Sequence, residues 1–260
     1  MSASAFRPAE LLVLPAALLA LALAIELSGA NQNLFIALNA TAATLPDPLW
    51  AFTTIWGDTL LLTACALPFA KRQPQLPWSI LIAALTGGLL VQALKLGFDA
   101  PRPPAILAPD AFHLIGRALK RHSFPSGHSF TAFAFAAILI RQLQPGMAIR
   151  GLLIAGAAAI AFSRVAVGVH WPVDVLVGSA LGWLAGYLSV GIARRYPWGE
   201  TLAGRRFLLA FFILLAVALA FERNGFASTN WLLDLVAFNA VVFGVLQLAQ
   251  LMRTRRKEIS

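Results

Sequence analysis

The sequence predicts an all-α, polytopic transmembrane helical bundle. Of its 260 residues, 59% are hydrophobic and 12% are charged, whereas soluble domains carry about 25% charged residues. The hydrophobic residues form runs close to the roughly 20 residues that a helix needs to cross a bilayer. The net charge of +9 comes largely from short loops between these runs. Because no basic stripe with interleaved aromatic residues is present, the charge indicates membrane topology and not nucleic-acid binding.

Eight spans are predicted, at residues 11–27, 48–69, 78–96, 124–140, 151–169, 173–192, 207–221 and 231–252. The first resembles a secretion signal, because a Ser-Gly-Ala sequence at 28–30 could serve as a cleavage site. Its length, the presence of Glu26 and the single basic residue before it favour a retained span. The second span contains Asp58 and the only cysteine, Cys65, which predicts neither a disulfide nor a cysteine metal site.

A single membrane domain is the simplest organisation, since no long linker interrupts the spans. Residues 1–196 would form a six-span core, and residues 197–260 would add two transmembrane helices and a basic tail. Glycines recur every fourth residue in the sixth span, at Gly178, Gly182 and Gly186, and this spacing lets another helix approach closely. The pattern fits dimerisation or, more commonly, packing within one chain, so the oligomeric state is not predicted.

Positive charges orient the bundle. With eight alternating spans, thirteen of the twenty Lys and Arg residues fall on the side of both chain ends: Arg7, Lys71, Arg72, Arg141, Arg150, Arg194, Arg195, Arg205, Arg206, Arg253, Arg255, Arg256 and Lys257. Cytoplasmic loops carry such an excess. We therefore expect a multi-pass protein of the inner (plasma) membrane with both termini in the cytoplasm. The opposite ends of the spans would then lie on the periplasmic or extracellular face.

Three polar blocks lie at the ends of hydrophobic runs on that opposite face. In one-letter code they read KxxxxxxRP at 95–103, PSGH at 125–128 and SRxxxxxHxxxD at 163–174. Ionisable groups at membrane ends are costly, so three such blocks on one face indicate a chemical purpose. Binding a phosphate and attacking its phosphorus would be one.

The third block holds a candidate nucleophile. Pro172 follows His170-Trp171 and would open the sixth span, a favoured position for proline. His170 and Asp174 are four residues apart, so on a helix they lie on the same side. A carboxylate that accepts the Nδ1 hydrogen leaves the Nε2 lone pair of the imidazole exposed. Taken alone, the pair is equally typical of a histidine that caps a span.

The second block could bind an anion, because it immediately precedes an apolar span. Backbone N–H groups at a helix start are unpaired and bind anions. Ser126 adds a hydroxyl, Gly127 allows close approach of the backbone, and His128 could donate a proton. By itself Ser126 is more often an ordinary helix cap.

The first block and Arg164 supply positive charge. An arginine can bind two phosphoryl oxygens at once, and a lysine acts as a point charge. Phosphoryl transfer depends on positioning and on stabilising negative oxygens, a task that suits Lys95, Arg102 and Arg164. As isolated residues, Lys95 and Arg102 would be interpreted as interfacial anchors.

Together the three blocks resemble the signature of the type-2 phosphatidic acid phosphatases, also called lipid phosphate phosphatases. Eleven fixed residues occur in the right order and spacing, and no motif position departs from the pattern. The motifs cover Lys95 to Asp174, and the architecture covers the first six spans but not the last two. Soluble acid phosphatases and vanadium haloperoxidases carry the same signature, but the apolar spans argue against both.

The resemblance implies a metal-independent phosphatase without a cofactor that forms a phosphohistidine. His170 would attack phosphorus, Asp174 would orient its ring, and His128 would protonate the leaving oxygen. The phosphoryl oxygens would be held by Lys95, Arg102, Ser126, Gly127 and Arg164. Ser163 also belongs to the motif, and we expect it to act through local hydrogen bonding.

The expected substrate is a membrane lipid whose head group reaches the blocks and whose tail enters laterally between helices. Family analogy ranks undecaprenyl pyrophosphate first, then phosphatidylglycerol phosphate, phosphatidic acid and lipid A. The segment 99–121 is interpreted as a short basic amphipathic helix on the membrane surface, which would bind a second phosphate or act as an anchor. Asp58 is interpreted as a buried carboxylate that forms a helix-packing hydrogen bond, or one with a functional partner.

Two alternatives remain open at this level. A phosphotransferase would use the same covalent chemistry and pass the phosphate to an acceptor lipid. A transporter for anionic lipids or phosphate would use intramembrane cations to mark a route across the bilayer. The position of the cations on a single face counts against a route.

Overall fold

The computed structural model describes residues 8–259, and all regular secondary structure in this part of the chain is helical. The predicted all-α fold is therefore confirmed. Arg7 lies outside the described residues, and so do the side chains of the basic tail from residue 253 onward.

Twelve α-helices are described, in the order α1 Pro8–Leu27, α2 Asn31–Ala42, α3 Asp47–Ile55, α4 Thr59–Ala66, α5 Gln75–Ala83, α6 Leu89–Phe98, α7 Pro103–Ile106, α8 Gly127–Leu143, α9 Met147–Ala166, α10 Pro172–Arg195, α11 Leu202–Phe221 and α12 Asn230–Ile259. A π-helical turn at Ala84–Gly88 joins α5 to α6.

Five helical stretches of the described chain are long and apolar enough to cross a membrane: Gln75–Ile106, Met147–Ala166, Pro172–Arg195, Leu202–Phe221 and Ala227–Met252. Two bent pairs raise this number to seven. The remaining predicted span is α8, which has 17 residues and is therefore about 25 Å long. Most of its residues are buried, so α8 runs through the interior of the bundle. The chain is thus a multi-pass membrane protein.

The second predicted span is not one straight helix. It is broken after Ile55 and bends by 60° before α4 begins at Thr59. The break places Asp58 at the start of α4, where Oδ1 accepts hydrogen bonds from the backbone N–H groups of Leu60 (2.8 Å) and Leu61 (3.0 Å). Asp58 is thus a helix cap, and the predicted packing hydrogen bond between helices is not formed.

The prediction of an amphipathic helix within 99–121 is wrong, since only α7 is helical there. The backbone of this segment bonds to another loop and across its own ends: Ile115 N–H donates to the carbonyl of Val167 (3.2 Å), and Arg102 N–H donates to the carbonyl of Lys120 (3.0 Å). Gly116 has a φ of +84°, a left-handed conformation that ends regular helix. Tertiary pairing has therefore overridden the local helical pattern.

The glycines of α10 bring it against α8 within the same chain. A methyl group added at Gly178, Gly182 or Gly186 would overlap a backbone carbonyl oxygen of α8 or of its cap. The prediction that the glycine repeat serves helix packing within the chain is therefore confirmed. The close approach also joins two polar blocks, because Ser126 N–H donates to the carbonyl of Asp174 at 3.0 Å.

The last two spans pack on the preceding helices through a shared hydrophobic core. Its fully buried side chains come from both parts of the chain and include Ile55, Leu61, Leu67, Ile138, Val190, Leu208, Phe212, Leu219 and Leu233. Burial of this apolar surface holds α11 and α12 against α4 and α5.

Candidate active site

The three polar blocks converge at one end of the bundle. Lys95 lies in the last turn of α6, Arg102 directly precedes α7, and Ser126 caps α8. Arg164 lies in the last turn of α9, and His170 lies in the connection from α9 to α10. Gly127 and His128 begin α8, and Asp174 lies in the first turn of α10. All eight predicted site residues are therefore at this end.

His170 lies between a carboxylate and a guanidinium. Its Nδ1 is 3.3 Å from Oδ2 of Asp174, and its Nε2 is 3.0 Å from Nη1 of Arg102. Arginine can only donate, so Nε2 must accept and the ring hydrogen must lie on Nδ1, facing Asp174. The lone pair that would attack phosphorus therefore points toward the cations.

His170 is only 2% exposed. This burial, together with the positive charges of Arg102, Arg164 and Lys95, holds the pKa of His170 well below its usual value. The ring therefore stays neutral at physiological pH, as a nucleophile requires.

Two further donors fix the carboxylate of Asp174. Oδ2 accepts hydrogen bonds from Oγ of Ser123 at 2.5 Å and from the backbone N–H of Trp171 at 2.9 Å. Ser123 is fully buried and was missed by the sequence analysis. It lies two residues before the PSGH block, and no spacing or periodicity singles out a lone serine there.

Backbone carbonyls hold two of the cations. Arg102 donates to the carbonyls of Arg121 (2.8 Å), Val169 (3.0 Å) and His122 (3.1 Å). The ammonium of Lys95 donates to the same His122 carbonyl at 2.8 Å. Carbonyl oxygens carry no formal charge, so these bonds fix both side chains without neutralising them.

Arg164 is also buried, and its Nη1 donates to Oγ1 of Thr54 at 2.5 Å. Its Nε is buried and has no acceptor among the described residues. A buried donor without an acceptor is costly, so Arg164 is suited to receive an oxygen from a ligand. Thr54 lies in α3, far from the motifs in sequence, and was also missed.

The two motif serines have different surroundings. Oγ of Ser126 accepts from the hydroxyl of Ser129 at 2.9 Å, so its own hydrogen remains available for a ligand. Oγ of Ser163 donates to the carbonyl of Ile160 at 2.5 Å. The predicted local hydrogen bonding of Ser163 is thus present.

A cleft of about 380 Å³ adjoins the site and is lined at one end by Lys95, Gly127 and His128. From there it continues between α4, α5 and α8 along apolar side chains that include Ile80, Val91, Phe135 and Ile138. Gly57 packs on the imidazole of His128, since a methyl group added there would lie 2.7 Å from its Cβ. The broken second span therefore forms one wall beside His128.

Positive charge dominates this end of the bundle. Lys95, Arg102 and Arg164 surround the imidazole of His170, and the carboxylate of Asp174 lies behind it. Among the side chains that the structure describes, no group of three or more His, Cys, Asp or Glu could hold a metal ion. The residues that gather here are cations, which suit an anionic ligand. A buried imidazole beside three cations at one end of a membrane helical bundle is the arrangement of a membrane-embedded phosphatase.

Comparisons with known proteins agree with this class. A family model described as the PAP2 superfamily matches residues 76–198. The chain is 30% identical over 188 residues to the undecaprenyl-diphosphatase of Sulfolobus acidocaldarius, a match that covers 69% of this chain and 89% of that protein. The protein described here belongs to the PAP2 superfamily.

Two further relatives extend the comparison. The lipid A 1-phosphatase of Rhizobium johnstonii is 35% identical over 169 residues, covering 59% of this chain and 66% of that protein. The crystal structure of Aquifex aeolicus LpxE superposes with a TM-score of 0.52 at 31% identity, covering 62% of this chain and 94% of that one. The predicted family and phosphatase class are thereby confirmed, while the roles of individual site residues stay predictions.

Proposed function

We propose that this protein hydrolyses the phosphomonoester or diphosphate of a membrane lipid through a phosphohistidine on His170. The observation that carries this proposal is the orientation of its imidazole. Nδ1 faces the carboxylate of Asp174, and Nε2 faces the guanidinium of Arg102 at 3.0 Å. That orientation serves an attack on an electrophile held by cations.

In the first step Nε2 of His170 attacks phosphorus, and the bond from phosphorus to the leaving oxygen breaks. The leaving oxygen takes a proton from His128. Asp174 stabilises the positive charge that develops on the ring of His170. In the second step water attacks the phosphohistidine and gives a proton to His128, which releases inorganic phosphate and restores both imidazoles.

The phosphoryl oxygens would be held by Lys95, Arg102, Arg164, the hydroxyl of Ser126 and the backbone N–H of Gly127. Three cations and two neutral donors would stabilise the negative oxygens of the transition state, without a metal ion. The unpaired Nε of Arg164 supports this assignment.

A lipid substrate is supported by the cleft beside His128. Its polar end carries Lys95 and His128, and its apolar part runs down α8 from Phe130 to Ile138, or about 12 Å at 1.5 Å per residue. A phosphate at the polar end would place its hydrocarbon chain along these apolar side chains. A polyprenyl diphosphate heads the candidate substrates because the Sulfolobus relative is an undecaprenyl-diphosphatase, and lipid A comes next because of the Rhizobium relative.

The site would face the periplasm or the cell exterior. The described ends of the spans opposite the site carry Lys71, Arg72, Arg141, Arg194 and Arg195. Such an excess of positive charge is typical of the cytoplasmic face. Fluorescent labelling of single cysteines introduced at each end, in intact cells, would test this orientation.

Phosphate release by the purified protein in detergent, with a chelator present, tests the activity. The panel contains undecaprenyl diphosphate, phosphatidylglycerol phosphate, phosphatidic acid and lipid A. His170→Ala should abolish release, whereas His113→Ala, which removes an exposed imidazole paired with Asp47, should retain it. Near-normal turnover by His170→Ala would overturn the nucleophile assignment. Transfer of labelled phosphate to a lipid, in place of its release, would indicate a phosphotransferase.

A further inference from the structure

A second polar cavity lies at the end of the bundle opposite the active site, with a volume of about 260 Å³. One wall is formed by the connection from α4 to α5 and the other by α11 and α12. The lining combines four polar side chains with apolar ones, and the polar members are Lys71, Arg205, Gln247 and Gln250. The cavity therefore lies between the six-span core and the two additional spans.

The described lining of the cavity carries positive charge and no acidic side chain. No described residue accepts a hydrogen bond from the half-buried guanidinium of Arg205. Lys71 donates to the neutral amide of Gln250 at 3.1 Å. The acidic residue of the neighbouring connection, Glu200, is bonded to Gln75 and does not line the cavity. Two cations thus meet a space that has no described anion in its lining.

Gln247 provides a second, independent sign of a ligand. It is 8% exposed, and its Nε2 donates to the carbonyl of Leu67 at 2.9 Å. Its Oε1 is buried and accepts no hydrogen bond from any described residue. Because leaving a buried acceptor unpaired is costly, this oxygen indicates a ligand that donates a hydrogen bond.

The three features together define the ligand chemistry. It has an anionic group for Lys71 and Arg205, a hydrogen-bond donor for Gln247 and an apolar portion for Leu208 and Leu251. A phospholipid with a hydroxylated head group, such as phosphatidylglycerol, combines all three. Basic pockets between transmembrane helices at the cytoplasmic side are suited to anionic lipid head groups.

We propose that this cavity binds the head group of a hydroxylated anionic phospholipid of the phosphatidylglycerol type. Lys71 and Arg205 bind the phosphodiester, and Oε1 of Gln247 accepts a hydrogen bond from the glycerol hydroxyl. The bound lipid joins α11 and α12 to the core helices, which gives the last two spans a role. The site is independent of the phosphatase chemistry at the other end.

Lipid binding to the full-length protein in detergent, measured by native mass spectrometry, tests the proposal. The probes are phosphatidylglycerol, phosphatidylmethanol, phosphatidylcholine and inorganic phosphate. Phosphatidylglycerol should bind most tightly. Lys71→Gln and Arg205→Gln should each weaken it by about five-fold, and the double variant by about 25-fold, from the free energy typical of one cation near anionic lipid. Arg72→Gln removes an adjacent charge that does not line the cavity and should bind like the wild type.

Gln247→Leu separates the hydroxyl contact from the charges. It should weaken phosphatidylglycerol binding and leave phosphatidylmethanol binding unchanged, because phosphatidylmethanol is a phosphodiester without a hydroxyl donor. Equal binding by the double variant and by Arg72→Gln would overturn the site. Inorganic phosphate that binds as tightly as phosphatidylglycerol would overturn the lipid assignment and leave a simple anion site.

Discussion

Replacing Ser123 by alanine tests whether Asp174 must be held rigidly for His170 to react. The Ser123 hydroxyl donates to Oδ2 of Asp174 at 2.5 Å, the shortest of the contacts to that oxygen. Both side chains are buried, so water cannot readily replace the lost donor. Without Ser123 the carboxylate keeps only the backbone N–H of Trp171, at 2.9 Å, and the imidazole of His170.

The size of the effect follows from the charge on the acceptor. A hydrogen bond to a charged group contributes about 1.5–3 kcal/mol, and each 1.4 kcal/mol of barrier changes a rate about ten-fold. We therefore expect Ser123→Ala to lower kcat by about 10- to 100-fold. KM should change little, because Ser123 contacts Asp174 and does not line the cleft.

The assay is phosphate release at saturating lipid, with the melting temperature measured in parallel. Ser189→Ala is the matched control, because its buried hydroxyl donates to the carbonyl of Gly186 at 2.8 Å on the same helix but remote from the site. A folded Ser123→Ala protein with kcat within three-fold of the wild type would refute the reasoning. It would show that the other contacts already hold Asp174 in place.

Three further predictions concern the wall of the cleft beside His128, the packing of α10 on α8, and the proposed nucleophile His170. Gly57→Ala should lower kcat by about 100-fold with a small change in melting temperature, because its methyl group would lie 2.7 Å from the Cβ of His128 and displace the ring. Gly182→Ala should lower the free energy of unfolding by about 1–3 kcal/mol in thermal denaturation, because its methyl group would overlap the Phe130 carbonyl. The kcat/KM for hydrolysis should persist as the pH falls below about 6.5, the ordinary pKa of histidine, because the lowered pKa of His170 keeps its neutral, nucleophilic form populated.

Each of these predictions has a control in the same chain. Gly151→Ala and Gly156→Ala add a methyl group in open space and lie outside the cleft lining, so neither should lower activity or stability. For the pH profile, Lys95→Gln removes one of the charges that lower the pKa of His170, so its acid limb should move to higher pH. The ionisation of the substrate is the same in both proteins and cancels in the comparison. An acid limb that does not move would contradict the assigned electrostatics.

The membrane fold and the convergence of the blocks were predictable because both depend on sequence-local patterns. Hydrophobic runs of membrane length specify helices, and a polar block at the end of such a run must lie at a membrane surface. The pairing of His170 with Asp174 was also predicted, although His170 lies just before α10 and not on the same helix as Asp174. The glycines of α10 likewise allowed the packing on α8 to be predicted, since their four-residue period is a property of one helix.

The remaining features depend on contacts between distant segments, which a pattern along the chain does not contain. The break at Asp58 places the hydrogen-bond acceptor Thr54 beside Arg164, 110 residues away. The segment after α7 is irregular because its backbone pairs with other loops. Ser123 acts on Asp174 across 51 residues, and only the assembled bundle brings the two together.

The contacts of Arg102 also explain how the proposed nucleophile would stay unreactive until substrate binds. Its guanidinium is fixed by three carbonyls and at the same time donates to the Nε2 lone pair of His170. For attack, that lone pair must be released. A phosphoryl oxygen is a stronger acceptor than a neutral imidazole nitrogen, because a hydrogen bond between two charged groups is stronger than one with a neutral partner. In the proposed reaction the substrate would therefore take the Arg102 hydrogen bond and expose Nε2, so that arrival of the phosphate itself activates His170.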